Sequence, residues 1–468
     1  MRSRHLGFFA IVAVAWACSP LALAQWSPDP LVNLAVAARL DSQEQPKVAP
    51  APDGGWYVSW YDNDPAGSPA FGYDVVLQRL DASGVAQWGP LGVLIADRGL
   101  SWTMDHDLAV DAQGNAVLAF NDDRTGSDQV TVTVVDPSGV QLWGPDGVRV
   151  SKRRTDKGPP HLAVTSDGRI AVAWSESASV KVKMLRPDGR GVWEQTIGPP
   201  RGQFYTASDL IPTDDGGVIV SWIREGTLTD MRHLLASRLS ASGKPMWGAT
   251  GIAVFDGGAL QMGHFPAIIP DGAGGAIFAW YTYLPGNECL AQRILADGTE
   301  AFAHNGLAVS VDPTSPRTGP SAEFDAASGE VVVFCEESSM GQKRVLGQRF
   351  DAAGLRLWGN TGLVVSDYSP AAIGLIRTAQ DGSDTVVYWW EQVGWGDERM
   401  TGARVAASGA LVCAPFPVSS YPSSKAYPEA AAGSGGVSVI AWKDGRADVG
   451  DVYAQNVNRD CTLGNPAP

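Results

Sequence analysis

The chain of 468 residues is expected to be all-β, a single eight-bladed β-propeller of four-stranded antiparallel blades, and three observations predict it. A strand-like run ending in an aromatic residue recurs at Trp60, Phe120, Trp174, Trp222, Trp280, Phe334, Trp389 and Trp442, with spacings of 60, 54, 48, 58, 54, 55 and 53 residues. A second text follows in seven of these units, a glycine with an aromatic four residues on: Gly84 before Trp88, and likewise at Gly139, Gly189, Gly243, Gly298 and Gly354, with Cys413 in the aromatic place after Gly409. Composition agrees, since 54 Gly and 31 Pro are too many for a helical chain, while 44% hydrophobic and 18% charged residues argue against disorder.

Along the chain, residues 1–24 read as an export leader. Arg2 and Arg4 precede an apolar run from Leu6 to Ala17, and Ala22-Leu23-Ala24 fits small-residue cleavage, so the mature chain is expected to start at Gln25. Lipid attachment at Cys18 is the alternative. The apolar run is too short to cross a bilayer core of roughly 30 Å, and no later stretch reaches that length.

Residues 25–461 hold the repeats. Each unit starts with a short run such as Leu108-Ala109-Val110 and turns at text such as Pro52-Asp53-Gly54-Gly55, where glycine permits positive φ. The aromatic-ended second strand follows, then a third strand such as Val75 to Leu80, and the glycine hairpin leads to the fourth. The last unit stops after its third strand, Val452 to Val457. Gln25-Trp26-Ser27-Pro28-Asp29 matches the fourth-strand text Leu142-Trp143-Gly144-Pro145-Asp146, so the N-terminal strand is expected to complete the last blade and close the ring. Twelve of the 17 Trp occupy repeat positions and are expected to fill the space between blades. Residues 462–468 read as a linker-like tail.

Cleavage at Ala24–Gln25 moves the formal charge from −15 to −17, which disfavours nucleic acid and anionic lipid surfaces as partners. Four cysteines remain, Cys289, Cys335, Cys413 and Cys461, with no CxxC spacing for a structural zinc site. Cys289 and Cys335 fall on one face of the ring and Cys413 and Cys461 on the other, so two disulfides within these sets are expected in an oxidising compartment, against the alternative of four buried thiols.

The hairpin text from Leu80 to Trp88, or from Phe350 to Trp358, resembles the tryptophan-docking repeat of eight-bladed quinoprotein-like propellers. That group includes quinone-dependent dehydrogenases and non-enzymatic scaffolds of bacterial outer-membrane assembly. The Asp here stands one residue closer to the Trp, and the adjacent cysteine pair expected of the dehydrogenases is absent. The hairpin is also similar to the Asp-box of sialidase-like propellers, with different spacing. More broadly, the text resembles repeats of secreted bacterial β-propeller proteins of unassigned function.

No nucleophile elbow, HExxH, phosphate loop or dinucleotide fingerprint occurs. Two residues past the second-strand aromatics stand six carboxylates: Asp62, Asp122, Glu176, Glu336, Glu391 and Asp444. They share a strand face with the aromatics and point toward the face that receives the inter-blade loops. Arg79, Arg238, Arg293, Arg349 and Arg404 recur at one third-strand register and are available to pair with these or neighbouring acids. The loops on that face add Trp102, Tyr205 and Trp395. Asp62-Asn63-Asp64-Pro65-Ala66-Gly67 has part of a calcium-loop pattern without its bidentate acid, so no cofactor is expected and calcium is the alternative. The expected function is therefore an extracytoplasmic binding or scaffold propeller, presenting acids and aromatics to a protein or glycan ligand. A glycoside hydrolase or lyase using the same carboxylates is the competing expectation.

Overall fold

A computed structural model describes residues 25–63, 72–103, 106–152, 157–226 and 231–465. The expected leader and residues 64–67 of the calcium-like stretch lie outside the described residues. Eight antiparallel sheets follow one another along the chain and form the ring of a β-propeller. Blade one is Gln43–Pro50, Trp56–Asp62, Asp74–Leu80 and Val93–Ala96, ordered from the channel outward. In blade five the innermost strand is split into Ala259–Leu260 and Ile268–Pro270, both paired with Ala276–Leu284.

The last blade contains Lys425–Ala432, Ser438–Asp444 and Asp451–Val457, and Leu34–Ala37 supplies its outer strand with Leu34 opposite Ala454 and Ala35 opposite Tyr453. Closure is thus non-covalent along this strand, as the matching text predicts. Residues 462–465 join it: Gly464 O accepts from Asn456 Nδ2 at 2.7 Å, and Asn465 Nδ2 donates to Gln25 Oε1 at 3.2 Å.

The second-strand aromatics are fully buried between blades. The outer tryptophans do a different job, and most sit in the hairpin ahead of the outer ladder. Each donates its indole N–H to a carbonyl in the next blade's hairpin: Trp26 to Ala82 (3.0 Å), Trp88 to Pro137 (3.2 Å), Trp143 to Pro187 (3.0 Å), Trp193 to Ala241 (3.1 Å), Trp247 to Ala296 (3.0 Å) and Trp358 to Ala407 (3.0 Å). The hairpin glycine is required twice over. Gly243 has φ +81°, and a Cβ there would lie 2.7 Å from the Trp193 ring.

Among the described residues one junction departs from aromatic docking. Cys413 holds the aromatic place of blade seven, and Cys461 holds the glycine place of blade eight, with φ 65°. The turn is the same one: Asn458 N bonds Thr462 O (2.9 Å) as Asp81 N bonds Val85 O (3.0 Å). Cys413 and Cys461 form a disulfide, so a covalent bond replaces the ring-on-glycine contact. Cys289 and Cys335 are buried free thiols in this structure, which corrects the expectation of a second disulfide. They belong to one apolar cluster between blades five and six, where burial pushes the Cys289 thiol up.

The repeated arginines do not meet the second-strand acids, because the two sets lie at opposite ends of the blade: Arg79 pairs across from Tyr57, whereas Asp62 faces Asp74. The arginines bind the Asp of the first turn instead. Arg79 meets Asp53, Arg238 meets Asp215 (2.8 Å), Arg293 meets Asp271 (3.1 Å), Arg349 meets Asp325 (2.6 Å) and Arg404 meets Asp381 (2.7 Å). Several also reach the next blade, as Arg404 does to Gly436 O at 3.2 Å.

Candidate functional site

Four of the six repeated carboxylates cap a buried indole. Trp60 Nε1 donates to Asp62 (3.0 Å), Trp174 to Glu176 (3.1 Å), Trp389 to Glu391 (2.5 Å) and Trp442 to Asp444 (2.8 Å). A buried N–H without an acceptor would cost about 1–3 kcal/mol, which explains the fixed two-residue spacing. Where the aromatic is Phe, the acid finds a cation: Asp122 binds Arg124 at 2.9 Å, and Glu336 binds Lys343 at 3.0 Å.

Asp444 is the most heavily engaged. Besides Trp442 it meets Arg446 (2.7 Å), Ser423 (2.6 Å) and buried Lys425 (3.4 Å). Burial pushes its carboxyl up, but the Arg446 hydrogen bond and the Lys425 charge outweigh this and hold it below the ordinary range. The same burial brings Lys425 down to about 8.

Of the loop aromatics, Trp395 is fully exposed on the blade-seven hairpin and Trp102 half-exposed between blades one and two. These sit on different blades from Tyr205. Glu176 and Tyr205 are brought together. They line an open cleft of about 470 Å³ between blades three and four, with Lys157, Ser175, Phe204 and Thr206.

Local sequence shapes this cleft. Ser177 and Ala178 form a two-residue hairpin turn with both φ positive (51° and 66°), a conformation unusual for two successive non-glycine residues. Tyr205 N then binds Ala178 O at 2.9 Å, and Ala207 N binds Ser175 Oγ at 2.8 Å, which fastens blade four to the turn. Tyr205 is buried against Trp222, ring centroids 5.5 Å apart, and leaves its neighbour Phe204 exposed at the rim.

Sequence reading missed a polar ring in the channel. Lys47, Asp107, His161, Asp209, Arg377 and Glu429 all occupy one register of the innermost strands, opposite the residue before the second-strand aromatic. Glu429 pairs with Lys47 (3.4 Å) and Arg377 (3.3 Å). Asp107 and Asp209 each accept the edge N–H of the next blade, Leu162 and Ile268, at 2.7 Å. Burial, with Asp107 nearby, pushes Asp209 up to about 7. Aligning the first strands on the turn text would have exposed this register.

A serine–histidine contact exists, Ser59 Oγ to His106 Nε2 at 2.7 Å, but both residues are buried between blades one and two. Among the described residues no three His, Cys, Asp or Glu side chains are grouped to hold a metal ion, and no helix is long and apolar enough to cross a membrane.

No family model matches the chain, and no curated protein matches its sequence. Solved structures match its fold. The Dos1 propeller aligns with TM-score 0.50 and 11% identity over 92% of this chain and 95% of that one. An ulvan lyase of a polysaccharide-lyase family, bound to a GlcA(1-4)Rha3S repeat, aligns with TM-score 0.50 and 11% identity over 84% and 98%. The BP39L lectin from Burkholderia pseudomallei aligns with TM-score 0.49 and 15% identity over 78% and 99%. At 11% identity the likeness to the Dos1 propeller and the ulvan lyase shows the propeller fold alone.

Proposed function

We propose that the protein is an extracytoplasmic binding propeller and that the cleft between blades three and four receives a glycan. The observation that carries this reading is the division of labour among acids and aromatics. The repeated carboxylates, Glu176 in the cleft wall included, cap indoles or pair with cations, whereas Phe204 keeps an exposed ring at the rim of a cleft lined also by Lys157, Ser175 and Thr206. A flat apolar ring beside hydrogen-bonding groups suits the alternating faces of a sugar, and the rigid ring holds it without reorganisation. The leader text and the Cys413–Cys461 disulfide support an oxidising location outside the cytoplasm.

The test is a glycan array with the mature chain, followed by calorimetry on the hits. Binding that weakens roughly tenfold or more in Phe204→Ala, with no change in the sugar after prolonged incubation, is the expected result. Chain cleavage of the glycan would replace this reading with the enzymatic one. Retention of full affinity in Phe204→Ala would remove the cleft from it.

A further inference from the structure

The indole caps fail in two neighbouring blades. Four second-strand tryptophans donate to a carboxylate two residues on, but that place is Arg224 in blade four and Thr282 in blade five. Trp222 Nε1 and Trp280 Nε1 are correspondingly buried without a hydrogen-bond partner.

In blade five an empty volume adjoins the vacancy. A cavity of about 650 Å³ is lined by Thr282, Asn287, Glu288, Asn305, Thr314 and Ser315, with Phe255 and Gly306 as apolar surface. The Trp280 ring is set as in a capped blade. Its Cη2 edge meets the glycine before the outer strand, Gly306, as the Trp60 Cη2 edge meets Gly92. In blade one that orientation aims Nε1 at Asp62. By that likeness the Trp280 N–H of blade five would face Thr282, whose hydroxyl donates instead to Gly286 O at 2.5 Å.

We propose that this cavity binds a sugar carboxylate, which takes the position the Asp or Glu side chain occupies in the capped blades and accepts the Trp280 N–H. Burying an indole N–H unpaired costs about 1–3 kcal/mol, and hydrogen bonds to a charged acceptor are stronger than neutral ones, so the site favours a carboxylate over a hydroxyl. The amides of Asn287 and Asn305 and the hydroxyls of Thr314 and Ser315 provide partners for ring hydroxyls. Glu288 also lines the cavity; Arg317 meets it at 3.1 Å but is shared with Glu337 at 2.7 Å. Burial pushes the Glu288 carboxyl up to about 7, so below that pH it carries a proton and does not repel the ligand. This site is separate from the cleft between blades three and four and goes beyond the glycan reading given there.

The probe is glucuronate, with glucose as its uncharged counterpart, followed on the indole N–H resonances of ¹⁵N-Trp-labelled protein, with Trp280→Phe identifying the Trp280 signal. Glucuronate is expected to shift that signal saturably, and glucose to leave it in place. Thr282→Asp is expected to shift the signal without ligand and to weaken glucuronate roughly tenfold or more, while leaving binding at the Phe204 cleft intact. Should Thr282→Asp not fold, Trp280→Phe carries the test alone, with glucuronate affinity read by calorimetry because its own signal is gone; it keeps most of the cavity and removes the donor, and a comparable loss of affinity is expected. An unmoved Trp280 signal, equal shifts by glucose, or unchanged glucuronate affinity in the variant tested would overturn the proposal.

Discussion

At Asp444 one carboxylate accepts from an indole, a hydroxyl and a guanidinium and faces a buried ammonium, so its removal leaves several groups unsatisfied at once. Asp444→Ala is expected to cost about 3–5 kcal/mol, the range for breaking a buried ion pair on one side. Glu391→Ala, which orphans the Trp389 N–H, is expected to cost about 1–3 kcal/mol. Urea unfolding of the two variants checks the order, and equal small losses would contradict the capping account. The six acids were legible in the sequence as a register, and so was their strand face. Their role was not, because an i to i+2 indole–carboxylate bond depends on a rotamer that spacing alone does not reveal. Arg224 and Thr282 were equally legible as the two non-acids of the register, but that they leave the Trp222 and Trp280 N–H groups uncapped was not.

Between elements, the hairpin glycines allow the cost of backbone and of packing to be separated. Gly144 has φ +79° with nothing near a built Cβ, whereas Gly243 has φ +81° with the Trp193 ring at 2.7 Å. Gly144→Ala is expected to lose about 1–2 kcal/mol from the left-handed backbone alone. Gly243→Ala is expected to lose a further 1–3 kcal/mol, roughly, from overpacking against the indole. Thermal unfolding of both decides it; similar losses would mean the docking contact contributes little. The disulfide across the one junction without a ring closes a span of 48 residues, and its reduction is expected to cost about 4 kcal/mol on chain-entropy grounds. The repeat text made seven junctions and the closing strand legible, since each of these needs glycine and an aromatic at fixed offsets, while Cys413 in the aromatic place marked the eighth. The opposite-end placement of arginines and acids was less so, because it depends on the register of the third strand against the second.

Over the whole ring, buried carboxyls on the innermost strands set a pH response. Burial pushes Asp209 and Glu323 from ordinary values of 3.8 and 4.5 up to about 7. The folded chain then holds protons that the unfolded chain releases, so stability falls as pH rises from about 4 to about 7. Aspartates held low, such as Asp325 and Asp381, act oppositely, and their contribution is lost only as pH falls below the ordinary carboxylate value. Melting is therefore expected at lower temperature at pH 8 than at pH 5, with the difference reduced in Asp209→Asn and Glu323→Gln; a flat or rising profile would contradict it. Repeated residues hold the ring, and the glycan cleft proposed above lies at the Ser177–Ala178 turn and the Phe204 rim, outside the repeated positions. The most direct test measures melting temperature and glycan affinity together in Asp122→Ala and Phe204→Ala. The account predicts that Asp122→Ala melts earlier and binds as before, while Phe204→Ala melts as before and binds at least several-fold more weakly. Loss of binding without loss of stability in Asp122→Ala would contradict it.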